Sequence, residues 1–228
     1  MATIITGGKG NIGSKLAEKL NAKIIDLKDG QNLLTCELPK DVDVIYHLAA
    51  QSSVEASWSD PLHDLDNIRM TARLVKEYPN AKIIYASSAA AQEPISSPYG
   101  FSKWASGEYL KRFHSNYVSC VFPNVYWVGE KSVVDIFKGK DEVTVYGDGM
   151  QLRDYVHVDD IVAGLILAKD WNCGEYFMGS GIPTSVLELA KGKTIIYAPP
   201  RKEARESVLR NSTSNWSPKI KVMEYING

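Results

Sequence analysis

Tyr99 stands four residues before Lys103 in "SSPYGFSKWASGEYL", a stretch that reads as the start of a helix. Residues at i and i+4 share one helical face, so a phenol lies beside an ammonium group. Any surface helix can produce such a pair by accident. As chemistry it is a proton acceptor and its tuner: tyrosine ionises near 10, and bringing it to about 7 takes roughly 4 kcal/mol of preferential stabilisation of the phenolate. A second candidate lies near the N-terminus. "TIITGGKGNIGSKLAEKL" gives a strand, then Gly7, Gly10 and Gly13 at three-residue spacing, then an amphipathic helix. Glycines let the backbone turn sharply and approach a pyrophosphate, whose charge then sits at a helix N-terminus. Asp26 ends the next strand, about 20 residues after Gly7, where an acid accepts hydrogen bonds from ribose hydroxyls. The pattern predicts a dinucleotide, with a plain glycine-rich turn as the alternative. Asp26 favours NAD over NADP because it repels a 2′-phosphate, although Lys9 and Lys28 soften that preference.

These residues need a scaffold. Short β-branched runs alternate with helical periodicity, the pattern of βαβ units on a parallel sheet covered on both faces. Strands are expected at 2–6, 23–27, 42–48, 81–87 and 117–122, with helices near 12–21, 60–78 and 98–115. In the second of these helices Leu62, Leu65, Ile68, Ala72 and Val75 form one apolar stripe, which predicts a core-facing helix with Pro61 in its first turn. After about residue 125 the pieces shorten to strands at 143–146 and 154–158 and a helix over about 160–170 capped by Asp159 or Asp160. "RNSTSNWSP" reads as a loop. The expected class is α/β: a Rossmann-type doubly wound sheet over 1–125 with contributions from about 150–170, and a small, trimmed substrate-binding region over 126–228 interleaved with it.

Composition narrows the function classes. The 228 residues carry a net charge of -1, with no basic field to draw nucleic acid or an anionic membrane. Cys36, Cys120 and Cys173 are far apart and lack metal-ligand spacing, so neither a disulfide framework nor a metal site is expected. The longest apolar run, "IVAGLILA", is too short to span a bilayer, and no signal-like segment opens the chain. A cytoplasmic setting is the expectation.

Five motifs then fall in one order: "TGGKGNIG", "DVIYHLAAQSSVEASWSDP", "IIYASSAA" with "SPYGFSK", "NVY" with "YGDGMQLRDYVHVDDIVAGL", and "GEYFMGSGIPTSVLELA". Together they resemble the extended short-chain dehydrogenase/reductases of the nucleotide-sugar epimerase/dehydratase group. The resemblance implies that Tyr99 is the base, that Lys103 tunes it and holds the nicotinamide ribose, and that Ser88, rather than Ser87, hydrogen-bonds the reacting sugar oxygen. It places NAD against Gly7, Gly10, Asn11, Ile12, Gly13, Asp26, Leu27, Leu48, Ala49, Ala50 and Phe122 as well as Tyr99 and Lys103. It gives the nucleotide sugar to Ser88, Asn124, Arg153 and Arg201, the arginines on the diphosphate. Homodimers formed by the helices at 60–78 and 98–115 are the implied assembly.

Dehydratases of this group carry acids just after the catalytic hydroxyl, where this chain has Ala89 and Ala90; Glu93 is the nearest acid and reads as a surface residue. The implied reaction is therefore 4-epimerisation, most simply of UDP-glucose and UDP-galactose. A hydride leaves sugar C4 for NAD, the 4-keto sugar rotates, and the hydride returns to the other face. A reductase, a dehydratase or a non-catalytic NAD-binding regulator are the alternatives. Several features depart from the group. The chain is short, 37–42 leaves no room for the usual helix, Asn11 stands where an aromatic residue is common and Val121 where an arginine is common. Trp127 replaces a glycine and could line a sugar pocket, while Trp58 and Trp104 read as packing residues and His47 and His157 as structural ones.

Overall fold

The five expected β-branched runs all form strands, and Ile4, Ile5, Ile45, Ile83 and Ile84 are wholly buried in them. The computed structural model describes residues 1–92, 97–129, 132–201, 205–213 and 215–228. The chain runs through β1 (Thr3–Thr6), α1 (Asn11–Lys19), β2 (Lys23–Ile25), β3 (Val44–His47), α2 (Val54–Ser59), α3 (Leu62–Glu77), β4 (Lys82–Ser88), α4 (Pro98–Phe113) and β5 (Tyr117–Phe122). It continues through β6 (Asn124–Tyr126), α5 (Val133–Gly139), β7 (Glu142–Tyr146), β8 (Leu152–Arg153), β9 (Tyr155–His157), α6 (Val158–Ala168) and β10 (Gly174–Phe177). The last elements are β11 (Thr184–Ser185), α7 (Val186–Leu189), β12 (Thr194–Ala198), β13 (Glu206–Ser207) and α8 (Val222–Asn227).

Two compact units emerge. One comprises Met1–Val121 and Val162–Tyr176, the other Phe122–Ile161 and Phe177–Gly228. The main sheet has six strands in the order β10-β5-β4-β3-β1-β2, a Rossmann-type α/β arrangement. β1 pairs in parallel with β2, Ile5 opposite Ile24, and with β3, Ile5 opposite Tyr46; β3 pairs in parallel with β4, Ile45 opposite Ile83. The chain thus leaves β1 for β2 on one side and returns for β3 on the other. That reversal opens a crevice at the carboxyl ends of β1 and β3, the place where open α/β sheets bind ligands.

The short connection before β3 is irregular, and α3 satisfies its carbonyls. The Arg73 guanidinium donates to the Leu33 and Cys36 carbonyls at 2.6 and 2.7 Å, and the Tyr78 hydroxyl to that of Pro39 at 2.7 Å. Leu33 fills the core, so no helix is needed there to bury apolar surface.

The second unit has its own core, built on Tyr126, Val134, Phe137, Val145, Tyr155, Leu189 and Val222. Its strands form small sheets: β12 with β7 and β6 with β9, both parallel, and β8 flanked by β11 and β13. Trp216 in the expected loop is buried, and its indole donates to the Asp160 carbonyl at 2.8 Å.

The helix expected at 60–78 forms as α3, and it is preceded by a separate helix, α2, capped by Ser53 and ended at Asp60, because Pro61 cannot continue it. Three expectations need correction. The apolar stripe of α3 meets the core only toward its C-terminal end, where Val75 packs against it; Leu62 is 71% and Leu65 47% exposed, while the buried positions are Asp64, Asn67, Thr71 and Leu74. Trp58 and Trp104 also face outward rather than pack inside. Finally, α6 begins at Val158, and Asp160 does not cap it; its carboxylate accepts the Lys219 and Ile220 amides, both at 2.9 Å. No helix among the described residues is long and apolar enough to cross a membrane.

Candidate active site

At the end of β1 the chain turns through Gly7, whose φ of 71° favours glycine. α1 then starts at Gly10, which offers no side-chain cap and leaves the first amides of the helix free of one. Gly13 is required by contact rather than by conformation. A Cβ there would lie 2.2 Å from the Gly7 carbonyl oxygen, inside any tolerable approach. Asn11 is exposed and Ile12 half-buried on the first turn, and Leu48, Ala49 and Ala50, also half-buried, follow β3 across the crevice.

Asp26 ends β2, buried, with one carboxylate oxygen accepting the Lys9 amide at 2.8 Å and the other the Lys28 amide at 2.9 Å. The two nearby lysines are themselves engaged: Lys9 pairs with Asp29, and the Lys28 ammonium donates to the Lys9 carbonyl at 3.0 Å. Leu27 beside it is exposed, and Phe122, at the end of β5, is buried.

The candidate reacting groups come from β4 and α4. Ser97 caps α4, its hydroxyl accepting the Gly100 amide at 3.0 Å, and Pro98 fits the first turn, which needs no amide hydrogen. Gly100 then lets the helix start close against the turn after β4: a Cβ would lie 2.4 Å from the Ala90 carbonyl oxygen. Tyr99 is thereby brought beside Ser88, whose hydroxyl accepts the Ala90 amide at 3.2 Å. Ala89 and Ala90 follow Ser88, and Glu93 lies outside the described residues. Burial raises the proton affinity of Tyr99; the Ser88 hydroxyl works against that rise and the Asp64 carboxylate adds to it. One turn on, Lys103 is 4% exposed, and its ammonium sits 4.5 Å from the centre of the Tyr85 ring. Burial lowers Lys103 to about 7.

Sequence patterning missed a polar spine behind these groups. The Thr71 hydroxyl donates to the Asn67 carbonyl at 2.9 Å, so it accepts from His47 Nε2 at 3.1 Å, and His47 Nδ1 in turn accepts the Thr6 hydroxyl at 2.8 Å. His47 is thus a neutral Nε2–H tautomer, pushed down to about 3 by burial first and by the nearby Lys103 charge second. Asn67 donates to Ser102 Oγ at 3.0 Å and to the Gln51 carbonyl at 3.1 Å, and Ser102 Oγ donates to the Tyr99 carbonyl at 2.8 Å. The spacing of Asp64, Asn67 and Thr71, one polar stripe on a helix, is the signal that could have found it.

The remaining expected residues lie in the second unit. Asn124 is exposed and starts β6, its amide donating to the Asp154 carbonyl at 3.0 Å. Arg153 is buried on β8 and donates to the Leu152 carbonyl at 2.8 Å. Arg201 is exposed and stacks 3.7 Å from the centre of the Tyr146 ring. Trp127 is half-buried, and the His157 ring is buried between the rings of Tyr126 and Tyr225 at 5.1 and 5.5 Å.

A glycine turn at a sheet switch point, followed by a buried strand-end acid and a Ser–Tyr–Lys cluster, is what the description "NAD dependent epimerase/dehydratase family" covers, and that family matches residues 3–176. The chain belongs to this family. Among curated relatives, a Methanocaldococcus jannaschii protein provisionally assigned as a UDP-glucose 4-epimerase is 32% identical, the match covering 98% of this chain and 86% of the relative. Among solved structures, the UDP-glucose 4-epimerase of Thermotoga maritima, crystallised with UDP-glucose, superposes with a TM-score of 0.84 at 28% identity, covering 99% of this chain and 96% of that one. The Thermus thermophilus UDP-glucose 4-epimerase, in complex with NAD, gives 0.80 at 27% identity, covering 100% and 98%.

NAD is the cofactor of the family, and the residues present fit it. The cradle at Gly13 has no room for a Cβ, which keeps the loop tight enough for backbone amides to face a pyrophosphate. Asp26 is locked by two backbone amides, and the lysines that could have welcomed a 2′-phosphate are engaged by Asp29 and a carbonyl.

Proposed function

We propose that the protein interconverts the C4 epimers of a nucleotide sugar, UDP-glucose and UDP-galactose being the first pair to test. The observation that carries this reading is the buried Tyr99 phenol beside Ser88, with the buried Lys103 one turn away. Binding alone needs no such group. NAD, when bound, accepts a hydride from the sugar carbon and gives one back. Tyr99 takes the proton of the C4 hydroxyl and later returns it, and Ser88 holds that oxygen. The Lys103 ammonium favours the phenolate and binds the cofactor ribose. Gly7, Gly10, Asn11, Ile12 and Gly13 hold the pyrophosphate, Asp26 the adenosine ribose, and Leu27, Leu48, Ala49, Ala50 and Phe122 line the cofactor's rings. In the second unit, Asn124 contacts the substrate and Arg153 and Arg201 hold its diphosphate. Ala89 and Ala90 after Ser88 favour epimerisation over elimination of water, which needs a further acid.

The outward apolar face supports a homodimer. Val54 and Trp58 of α2, Leu62 and Leu65 of α3, and Phe101 and Trp104 of α4 are all exposed, and α3 and α4 pack along one another. Such a patch on one helix pair fits a second copy of the same pair. The free cysteines Cys36, Cys120 and Cys173 suit a reduced, cytoplasmic setting.

The test of activity is a proton NMR time course of UDP-galactose with the protein and a trace of NAD. Growth of UDP-glucose to a fixed ratio without net NADH is expected. Inertness toward UDP-galactose, UDP-glucose and their N-acetylated and uronic acid counterparts would overturn the reading.

A further inference from the structure

Lys103 is a buried cation without an acid. It is 4% exposed, its ammonium makes no ion pair or hydrogen bond to another of the described residues, and burial alone moves its proton affinity. An ammonium taken out of water is costly unless something replaces its hydration. The structure puts an aromatic face there instead. The Tyr85 ring, 1% exposed on β4, has its centre 4.5 Å from the Lys103 ammonium. The face of such a ring is its negative side, and it attracts a cation most strongly where neither is in contact with water. Tyr85 otherwise belongs to the apolar core of the first unit, with Ile45, Ile83 and Leu110. A leucine or isoleucine would fill that core, but neither offers a charge-bearing face to an ammonium.

We propose that Tyr85 is a positioning residue for Lys103: its ring face keeps the buried ammonium charged and in place until the ribose of the cofactor supplies hydrogen-bond partners. Three features fix the ring in that task. Its hydroxyl donates to the Lys103 carbonyl at 3.2 Å, which ties the strand residue to the same turn of α4 that carries the ammonium. Burial raises the proton affinity of the Tyr85 phenol, so the ring stays neutral and its hydroxyl stays a donor. On the neighbouring strand β3, His47 lies opposite Tyr85, with ring centres 5.7 Å apart. A charged imidazole there would repel Lys103, and the bonds to Thr6 and Thr71 keep it neutral. The titratable groups around the ammonium are thus His47 from β3, Tyr85 from β4 and Tyr99 one turn earlier on α4, and none of them is an anion while Tyr99 holds its proton. The polar spine and the aromatic face then serve one end, a cation kept where an apolar core would otherwise expel its charge.

The inference rests on Lys103 serving the cofactor as proposed above, and its test reads the ammonium itself. Protein labelled with carbon-13 at lysine Cε is titrated by NMR, since that carbon's shift follows the charge on the nitrogen beside it; Lys103→Met identifies the Lys103 signal by its loss. Tyr85→Leu removes the partner of the charged form and is expected to move the Lys103 midpoint down by about one pH unit. Tyr85→Phe keeps the ring and loses only the hydroxyl bond, and is expected to leave the midpoint in place. Should Tyr85→Leu fail to fold, a trifluorinated phenylalanine placed at position 85 keeps the ring's shape but drains its face of negative charge, and the midpoint is expected to fall in the same way. A midpoint that stays put in a folded Leu or fluorinated variant overturns the role of the ring. A Tyr85→Phe midpoint as low as that of Tyr85→Leu overturns it too, by making the hydroxyl the operative group. The titration needs no turnover: a shifted midpoint in a protein inert toward every UDP sugar supports the hold of Tyr85 on Lys103 and overturns only the epimerase reading.

Discussion

Tyr99 gains its meaning from what surrounds it. Burial alone holds its proton tightly and the Ser88 hydroxyl works against that; useful basicity depends on such stabilisation of the phenolate. Tyr99→Phe keeps the ring and the packing but removes the acceptor; turnover should fall by about 10²–10⁴-fold with melting temperature nearly unchanged. Steady-state rates beside a thermal melt check this. His47 carries a different expectation. Its neutral form is locked by Thr6 and Thr71, and its value lies near 3 against an ordinary 6.5. Between those limits the unfolded chain binds the extra proton, so stability is full above about pH 6.5 and declines as pH falls toward 3. The slope is at most about 1.4 kcal/mol per pH unit from this one group. Urea unfolding at stepped pH should show that slope, and His47→Asn should flatten it.

The helices show where patterning is informative and where it misleads. Apolar spacing identified α3 as a helix but placed the first half of its stripe on the wrong side, since Leu62 and Leu65 point outward and Asp64, Asn67 and Thr71 inward, whereas Val75 does pack on the core. Hydrophobicity marks a surface that seeks burial; it does not say whether the protein's own core or another copy provides it. Leu65→Asp together with Trp104→Glu should therefore yield a monomer by light scattering with the fold intact, and a monomeric wild type would remove the dimer. At the other end of the site, the glycine loop was legible because its requirement is local: a strand, a turn without side chains, a helix. Gly13→Ala should abolish NAD binding by titration calorimetry, because its Cβ cannot lie 2.2 Å from the Gly7 carbonyl. The polar spine was not legible in the same way. Gln51, Asn67 and Ser102 are far apart in sequence, and only the packing of α3 on α4 makes them one network.

For the molecule as a whole, the main sheet was readable from alternating β-branched and amphipathic segments, down to the five strands from β1 to β5. Its sixth strand, β10, was not expected, and in the second unit only β7 and β9 were, at 143–146 and 154–158; the two-residue strands β8, β11 and β13 carry no periodicity to read. In the short connection before β3, Arg73 and Tyr78 bind the carbonyls of Leu33, Cys36 and Pro39. Ser88, Tyr99 and Lys103 lie outside these short pieces, and the proposed reaction assigns them to removal and return of hydride at a single sugar carbon. The most direct measurement uses UDP-galactose deuterated at C4, with NAD far below the substrate concentration. UDP-glucose that retains the deuterium at C4, with none lost to solvent, is the expected product of 4-epimerisation. Product lacking deuterium at C4 would contradict it.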